Sequence, residues 1–150
     1  MKRCAVDTNV LIYAHLSSFT QHGRARQYLQ DFLADPTSVL VVVPIILHEL
    51  VHVITDARRF EHPVKMEEAI AIARLYLNRT NIECVDIGAR AIGLTFELME
   101  QYRLGRNRVA DSLLVATLLQ HGVDELITCN EVHFAVFDEI TTIDLTRVAS

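Results

Sequence analysis

Three carboxylates, far apart along the chain, each lie beside a segment that the sequence predicts to be buried. Asp7 follows the apolar run 4–6, Glu49 follows a run of valines, and Asp111 precedes an almost wholly apolar stretch. Carboxylate oxygens are the ligands that suit Mg²⁺ or Mn²⁺. A bound divalent ion can acidify a water for attack on a phosphodiester. If these acids meet, metal-assisted hydrolysis is the chemistry they indicate.

Each acid taken alone also has an ordinary structural explanation. Asp7 can cap the helix that follows it, since Asp is a preferred residue at a helix N-terminus. Asp111 can interact favourably with the dipole of its own helix. Glu49 can form a buried salt bridge with an arginine. The functional interpretation therefore depends on whether the predicted elements bring the three together.

Hydrophobic patterning predicts strands that alternate with helices along the whole chain. The predicted strands cover 3–6, 39–43, 82–85, 125–129 and 141–145. The predicted helices cover 10–16, 22–33, 44–60, 64–77, 89–102 and 109–120. Pro44 directly follows a strand and suits the first turn of a helix, whereas Gly122 suits the end of one.

This alternation predicts an α/β fold, a three-layer α/β/α sandwich with a mostly parallel central sheet, in a single domain spanning 1–150. Ligands of such sheets bind beyond the carboxyl ends of the strands. Asp7 and Asn130 follow predicted strands directly, and Asp111 opens a helix. Helical rotation places Glu49 on the border of an apolar face, where we expect it to be partly buried.

The charge balance limits how the protein could bind nucleic acid. The formal net charge is −5, which excludes binding through overall positive charge. Arg103, Arg106 and Arg108 crowd just before Asp111 and could hold phosphates there. A solvated basic loop is the alternative for these arginines.

Cysteine use and hydropathy predict a cytoplasmic protein. Cys4, Cys84 and Cys129 lie far apart inside predicted strands, which indicates reduced, buried thiols rather than a disulfide framework. Asp7 and Asn9 interrupt the apolar N-terminal stretch, so we expect no secretion signal. No apolar run approaches the roughly 20 residues that cross a bilayer, so no membrane association is predicted.

Residues 48–52, HELVH, match the HExxH pattern of zinc metallopeptidases. Helical rotation places His48 and His52 far from the apolar face, so we expect both to face solvent. The glycine and third histidine of the extended metzincin pattern are absent. Because Glu67 or Glu68 could supply a distant acidic ligand, a zinc peptidase remains an alternative function.

Four segments, taken together and in this order, resemble PIN domains, and among these the VapC-type toxins of bacterial toxin–antitoxin pairs. The segments are Val6-Asp7-Thr8-Asn9-Val10-Leu11, the stretch from Pro44 to Leu50, the stretch from Ala110 to Ala116, and Leu126-Ile127-Thr128-Cys129-Asn130 with Phe134 downstream. The resemblance implies a Mg²⁺- or Mn²⁺-dependent endoribonuclease that hydrolyses RNA. It places Asp7, Glu49 and Asp111 at the catalytic, metal-binding positions.

The resemblance also implies roles for neighbouring residues. Thr8 would support the first acid and Thr128 would line the same edge. The position of Arg106 and Arg108 just before Asp111 separately predicts that they bind the RNA substrate. Many PIN domains carry a fourth acid where this chain has Asn130, which could bind a metal through its amide oxygen but adds no charge. Glu131 could substitute only if its side chain turned inward.

VapC-type proteins usually form homodimers and are silenced by a small cognate antitoxin, whose tail often inserts a basic residue into the acidic pocket. The resemblance therefore implies both partners, and an acidic net charge suits such an antitoxin. Two further alternatives remain within the family. The chain could be an RNA-processing PIN nuclease with no antitoxin, or a catalytically idle PIN domain used for binding.

Overall fold

The computed structural model describes residues 2–147, which form one five-stranded sheet with helices on both faces. The strands are β1 (Lys2–Val6), β2 (Ser38–Val42), β3 (Ile82–Cys84), β4 (Glu125–Thr128) and β5 (Thr141–Asp144). The helices are α1 (Thr8–His15), α2 (His22–Ala34), α3 (Pro44–Ile54), α4 (Met66–Asn78), α5 (Ala89–Gln101), α6 (Val109–Gln120) and α7 (Glu131–Phe134), with a 3₁₀ turn at Arg106–Arg108 before α6.

Every strand pairing in the sheet is parallel, and the strand order is β3-β2-β1-β4-β5. Right-handed crossovers then place α1 to α4 on one face and α5 to α7 on the other. Contacts among α1, α2, α3 and α4, and between α5 and α6, agree with this division. The predicted three-layer sandwich with a parallel central sheet is confirmed.

The central strand β1 is buried because it is paired on both edges and covered on both faces. Its register aligns Cys4 with Leu40 of β2, and Val6 with Ile127 of β4. Cys4, Ala5 and Val6 are each no more than 1% exposed. Burial of such apolar surface stabilises the fold by roughly 25 cal/mol per Å². The carboxyl end of this strand is thus a fixed point from which the chain enters α1.

The helix that carries Glu49 is shorter than predicted. Pro44 begins α3 as expected, with Val43 extended before it, but the helix ends at Ile54 rather than at residue 60. Beyond it, Asp56 accepts a hydrogen bond from the Arg58 N–H at 2.9 Å and so stabilises a turn. This local bond competes with continuation of the helix.

Two other expectations need correction. Cys84 is exposed rather than buried, because it ends β3, which lies at the edge of the sheet; Cys4 is buried, and all three cysteines are free thiols. Helix α7 was not predicted, since four residues are too few to show helical periodicity. Among residues 2–147, no helix has the length and apolar character needed to cross a membrane.

Gly122 ends α6 as predicted, in the left-handed conformation with φ 72°. We expect Gly122→Ala to lower the free energy of unfolding by about 1–2 kcal/mol, because an L side chain is strained there. Gly93, inside α5, has open space around its would-be side chain and no such φ. Gly93→Ala is therefore the matched control, expected to raise stability by about 0.5–1 kcal/mol. Urea denaturation measures both, and equal effects would contradict the conformational explanation.

Candidate active site

Asp7 occupies the junction between the central strand and α1. Its N–H donates to the carbonyl of Ile127 at 3.0 Å, which extends the pairing of β1 with β4. Its Oδ1 accepts the Thr8 N–H at 2.8 Å, so the side chain caps α1. The capping role that the sequence allowed is confirmed. It uses only one carboxylate oxygen, and Oδ2 is left for other partners.

Thr128 holds the second oxygen of Asp7 from the end of β4. Its hydroxyl donates to Oδ2 at 3.2 Å and accepts the N–H of Asn130 at 2.9 Å. Thr128 is fully buried, so this geometry is maintained by packing as well as by hydrogen bonding. The structure therefore brings Thr128 to Asp7, as the sequence predicted.

Thr8 links Asp7 to Glu49. The Thr8 hydroxyl donates to Oε2 of Glu49 at 2.9 Å, while the backbone of the same residue donates to Asp7. Glu49 is exposed, not partly buried as predicted. Helix α3 packs its apolar face, which includes Ile46 and Leu50, against the core. Glu49 lies at the border of this face and is exposed to solvent.

Asp111 approaches from the first turn of α6 and already has a cationic partner. Its Oδ2 accepts a hydrogen bond from Nε of Arg108 at 3.2 Å. Nδ1 of His133, on α7, lies 4.0 Å from the same oxygen. The Arg108 and Asp111 side chains are each 26% exposed. Arg108 is thus an ion-pair partner of Asp111 rather than a free basic side chain.

Burial raises the pKa of Asp7 to about 6. Hydrogen bonds from the Thr8 N–H and the Thr128 hydroxyl oppose this rise, whereas the negative charges of Asp111 and Glu49 add to it. These charges act on Asp7 only because the three acids share one edge of the sheet. The structure thus places Asp7, Glu49 and Asp111 at one edge of the sheet, and joint metal binding by the three stays a prediction.

The donor chemistry at this edge fits a hard divalent cation. The groups available are carboxylate and hydroxyl oxygens, which Mg²⁺ and Mn²⁺ prefer. Within residues 2–147, however, no three His, Cys, Asp or Glu side chains are placed to hold one ion. Asp111 is bonded to Arg108 instead, and Glu49 to Thr8. Drawing the acids closer requires a positive charge that offsets their repulsion.

A model of the PIN domain matches residues 4–140, which is most of the chain. The chain belongs to the PIN-domain family. It is 27% identical over 141 residues to the ribonuclease VapC33 of Mycobacterium tuberculosis, a match that covers 94% of this chain and 96% of that protein.

Solved structures show the same PIN fold. The DNA-bound VapBC of Salmonella typhimurium aligns with a TM-score of 0.67 and 17% identity, covering 97% of this chain and 99% of that one. VapC20 of Mycobacterium tuberculosis, described as a toxin that cleaves the Sarcin-Ricin loop, aligns with a TM-score of 0.63 and 19% identity, covering 82% and 86%. At these identities the likeness shows the fold alone.

Two residues after β4 bear on the fourth acidic position of this PIN domain. Asn130 is half-buried at the start of α7, and its side chain makes no capping bond to that helix. Glu131 accepts a hydrogen bond from Thr142 at 3.3 Å and pairs with Arg147 at 3.0 Å. Glu131 is thus held towards β5 and does not replace the missing acid. Metal binding by Asn130 stays a prediction.

The HExxH match does not form a zinc site in this PIN domain. His48 and His52 are both exposed, as predicted, and Glu49 between them bonds to Thr8. The expected arrangement of two histidines and a third ligand is missing among the described residues 2–147. The structure therefore associates Glu49 with Asp7 and Thr8 rather than with its neighbouring histidines.

Sequence reasoning missed two features of this edge. Asp144 ends β5 in register with Thr128, and its carboxylate accepts both the N–H and the hydroxyl of Thr146. Beside it lies a cleft of about 870 Å³, lined by Arg24 and Tyr28 of α2 and by Cys129. Sequence patterns could place Asp144 at a strand end, but the cleft depends on how α2 packs.

The raised pKa of Asp7 predicts a gain in stability when its charge is removed. A carboxyl with a raised pKa binds its proton more tightly in the folded state, so stability is lost as the pH rises from about 4 through 6. In EDTA, Asp7→Asn should therefore raise the free energy of unfolding at pH 7 by up to about 3 kcal/mol, since Asn also caps helices. At pH 4 the gain should vanish.

Urea denaturation at the two pH values measures this difference. Asp35→Asn serves as the control, with an expected stability change in the opposite direction. Hydrogen bonds from Thr37 and Ser38 lower the pKa of Asp35, so its charged form stabilises the fold. That variant should be destabilised at pH 7. Lower stability of Asp7→Asn at pH 7 would show that its charge is compensated within the protein.

Proposed function

We propose that this PIN domain is a divalent-metal-dependent endoribonuclease that acts as the toxin of a toxin–antitoxin pair. The main support is that Asp7, Glu49 and Asp111, from three separate elements, lie at the same carboxyl edge of the sheet, where Thr8 links Asp7 to Glu49. The similarity over most of the chain to the ribonuclease VapC33 supports RNA as the substrate.

In this proposal the three carboxylates hold Mg²⁺ or Mn²⁺, and Asn130 contributes its amide oxygen. When bound, such an ion would supply Lewis-acid chemistry, by acidifying a water and neutralising charge on the leaving oxygen. One of the three carboxylates would accept the proton of the attacking water. A bound cation would also compensate the charge of Asp7, whose pKa is raised by burial and, to a smaller extent, by the charges of Asp111 and Glu49.

The hydroxyls around the acids orient them for this chemistry. Thr128 and the backbone of Thr8 each bond one oxygen of Asp7, so that carboxylate cannot rotate freely. The Thr8 side chain fixes Glu49 in the same way. Such preorganisation lowers the cost of reaching the reactive geometry.

The RNA would contact positive charge only locally, because the protein as a whole is acidic. Arg106 is exposed in the 3₁₀ turn before α6 and Arg108 lies beside Asp111, which suits both to contact phosphates of the RNA near the acids. The cleft next to Cys129 offers room for an adjoining nucleotide.

The comparison with the PIN-domain family also suggests which proteins this chain binds. We propose a small cognate antitoxin that covers the acidic edge, and a homodimer as the working form in the cytoplasm. The solved relatives include the VapBC of Salmonella typhimurium, which supports the antitoxin assignment. An RNA-processing PIN nuclease would lack the antitoxin but share the chemistry.

Cleavage of RNA by the purified protein tests the activity. With Mn²⁺ we expect endonucleolytic products that disappear in EDTA. Asp7→Asn and Asp111→Asn should each lower kcat by at least about a hundredfold, since each removes a charge that holds the ion. His48→Gln should leave cleavage unchanged, because His48 is exposed and outside the site.

Three results would count against this mechanism. Cleavage that persists in EDTA or in Asp7→Asn would exclude the metal–carboxylate mechanism. Absence of cleavage with every divalent ion would favour a catalytically idle PIN domain. Loss of cleavage in His48→Gln, together with bound stoichiometric zinc, would restore the peptidase hypothesis.

The toxin role is tested separately in cells. Expression of the wild-type chain should arrest growth, whereas Asp7→Asn, which retains the fold, should not. Co-expression of a small protein encoded next to this chain should restore growth. That protein should co-purify with the wild-type chain and with Asp7→Asn. An active nuclease that arrests no growth and retains no such partner would be an RNA-processing enzyme.

A further inference from the structure

Arg108 forms an ion pair with Asp111, a carboxylate that would be needed to bind a metal ion. Its Nε donates to Oδ2 of Asp111 at 3.2 Å, across less than one helical turn. Among the three acids of the site, only Asp111 has an arginine paired with it in residues 2–147. This pairing accounts for the open arrangement of the acids, because Asp111 is directed to a cation within the chain.

The geometry of the ion pair between Arg108 and Asp111 is that of a weak interaction. Arginine binds a carboxylate most strongly through two parallel hydrogen bonds, whereas Arg108 donates only through Nε. Its Nη2 is buried and has no partner among the described residues. A buried donor without a partner is unfavourable, and ion pairs that are partly exposed contribute little. A divalent cation therefore competes with a poor ligand for Asp111.

The position of Arg108 also lets it move without disturbing the site. It ends the 3₁₀ turn Arg106–Arg108, so it lies just before α6 rather than inside it. Asp111 is in the first turn of α6 and remains fixed by the helix. The guanidinium can thus leave the carboxylate by rotation of its own side chain.

We propose that Arg108 is an exchangeable counter-ion: it neutralises Asp111 in the metal-free protein, is displaced when a divalent cation binds, and then contacts the phosphate of the RNA. This inference rests on the proposed nuclease function. It makes Arg108 a substrate-binding residue that contacts Asp111 before the metal binds and the RNA afterwards. RNA contact by Arg108 consequently requires that the metal be bound.

Metal affinity is the first measurement. Mn²⁺ binding to the purified, RNA-free protein is followed by electron paramagnetic resonance for the wild type, Arg108→Gln and Arg108→Lys. Arg108→Gln should bind Mn²⁺ roughly threefold to fivefold more tightly, the effect expected for removing a competing ion pair of this exposure. Arg108→Lys keeps the charge but loses the Nε bond, and should fall between the two.

Arg106→Gln is the matched control for metal affinity. Arg106 lies in the same turn and its loss changes the net charge equally, but it has no ion pair with Asp111. Its Mn²⁺ affinity should equal that of the wild type. An equal gain in Arg106→Gln would mean that charge alone, and not the contact, governs affinity, and would overturn the inference.

RNA binding supplies the second measurement. In EDTA, fluorescence anisotropy should give the same RNA affinity for the wild type and Arg108→Gln, because Arg108 is engaged with Asp111. With Mn²⁺, Arg108→Gln should raise KM for RNA about tenfold while kcat changes less. An arginine that only supports the fold would not produce this dependence on metal, and thermal unfolding verifies that both variants are folded.

The outcomes separate this inference from the function on which it rests. If the wild type binds Mn²⁺ and cleaves RNA but Arg108→Gln binds Mn²⁺ no more tightly, only the counter-ion role is wrong. Weaker RNA binding by Arg108→Gln already in EDTA would also overturn it. If the wild type neither binds Mn²⁺ nor cleaves RNA, the proposed function fails and the inference with it.

Discussion

The hydrogen bond from the Asp7 N–H to the carbonyl of Ile127 marks the point at which β1 stops being a strand. One residue later the chain is helical, and the first free N–H of α1 is satisfied by the side chain of Asp7 itself. Strand and helix therefore meet without an intervening loop. Because β1 is buried between β2 and β4, this junction cannot shift, and Thr8, Thr128 and Glu49 take their positions from it.

The same junction explains how acids can be kept together in a folded chain. Hydrogen bonds from a backbone N–H and two threonine hydroxyls compensate part of the charge on Asp7 and Glu49. Asp111 uses Arg108 for this purpose. Both solutions are incomplete, since the pKa of Asp7 remains above its ordinary value. Burial is the main cause of this raised pKa, and the charges of Asp111 and Glu49 add to it.

Features governed by local pattern were predictable from the sequence. The valine run before Pro44, the apolar helix closed by Gly122 and the strand ahead of Asp7 follow from periodicity and from residues with restricted backbones. The parallel sheet followed in turn from the alternation of strands and helices. Once the strands were placed, Asp7 and Thr128 had to lie at one edge.

Features governed by side-chain partners were not predictable in this way. The exposure of Glu49 depends on how α3 packs, and the pairing of Arg108 with Asp111 depends on the exact path of the 3₁₀ turn. The direction of Glu131 depends on Thr142 and Arg147 of the last segment. Each is decided by distances of a few ångströms between elements, which periodicity does not determine.

The strand order carries a consequence for the timing of assembly. Although β1 leads the chain, its neighbour β4 is made of residues 125–128, near the opposite end. Contacts of this sequence separation form late in folding, and domains emerge from the ribosome N-terminus first. Thr128 therefore cannot orient Asp7 until the 121 residues that separate the two have been synthesised.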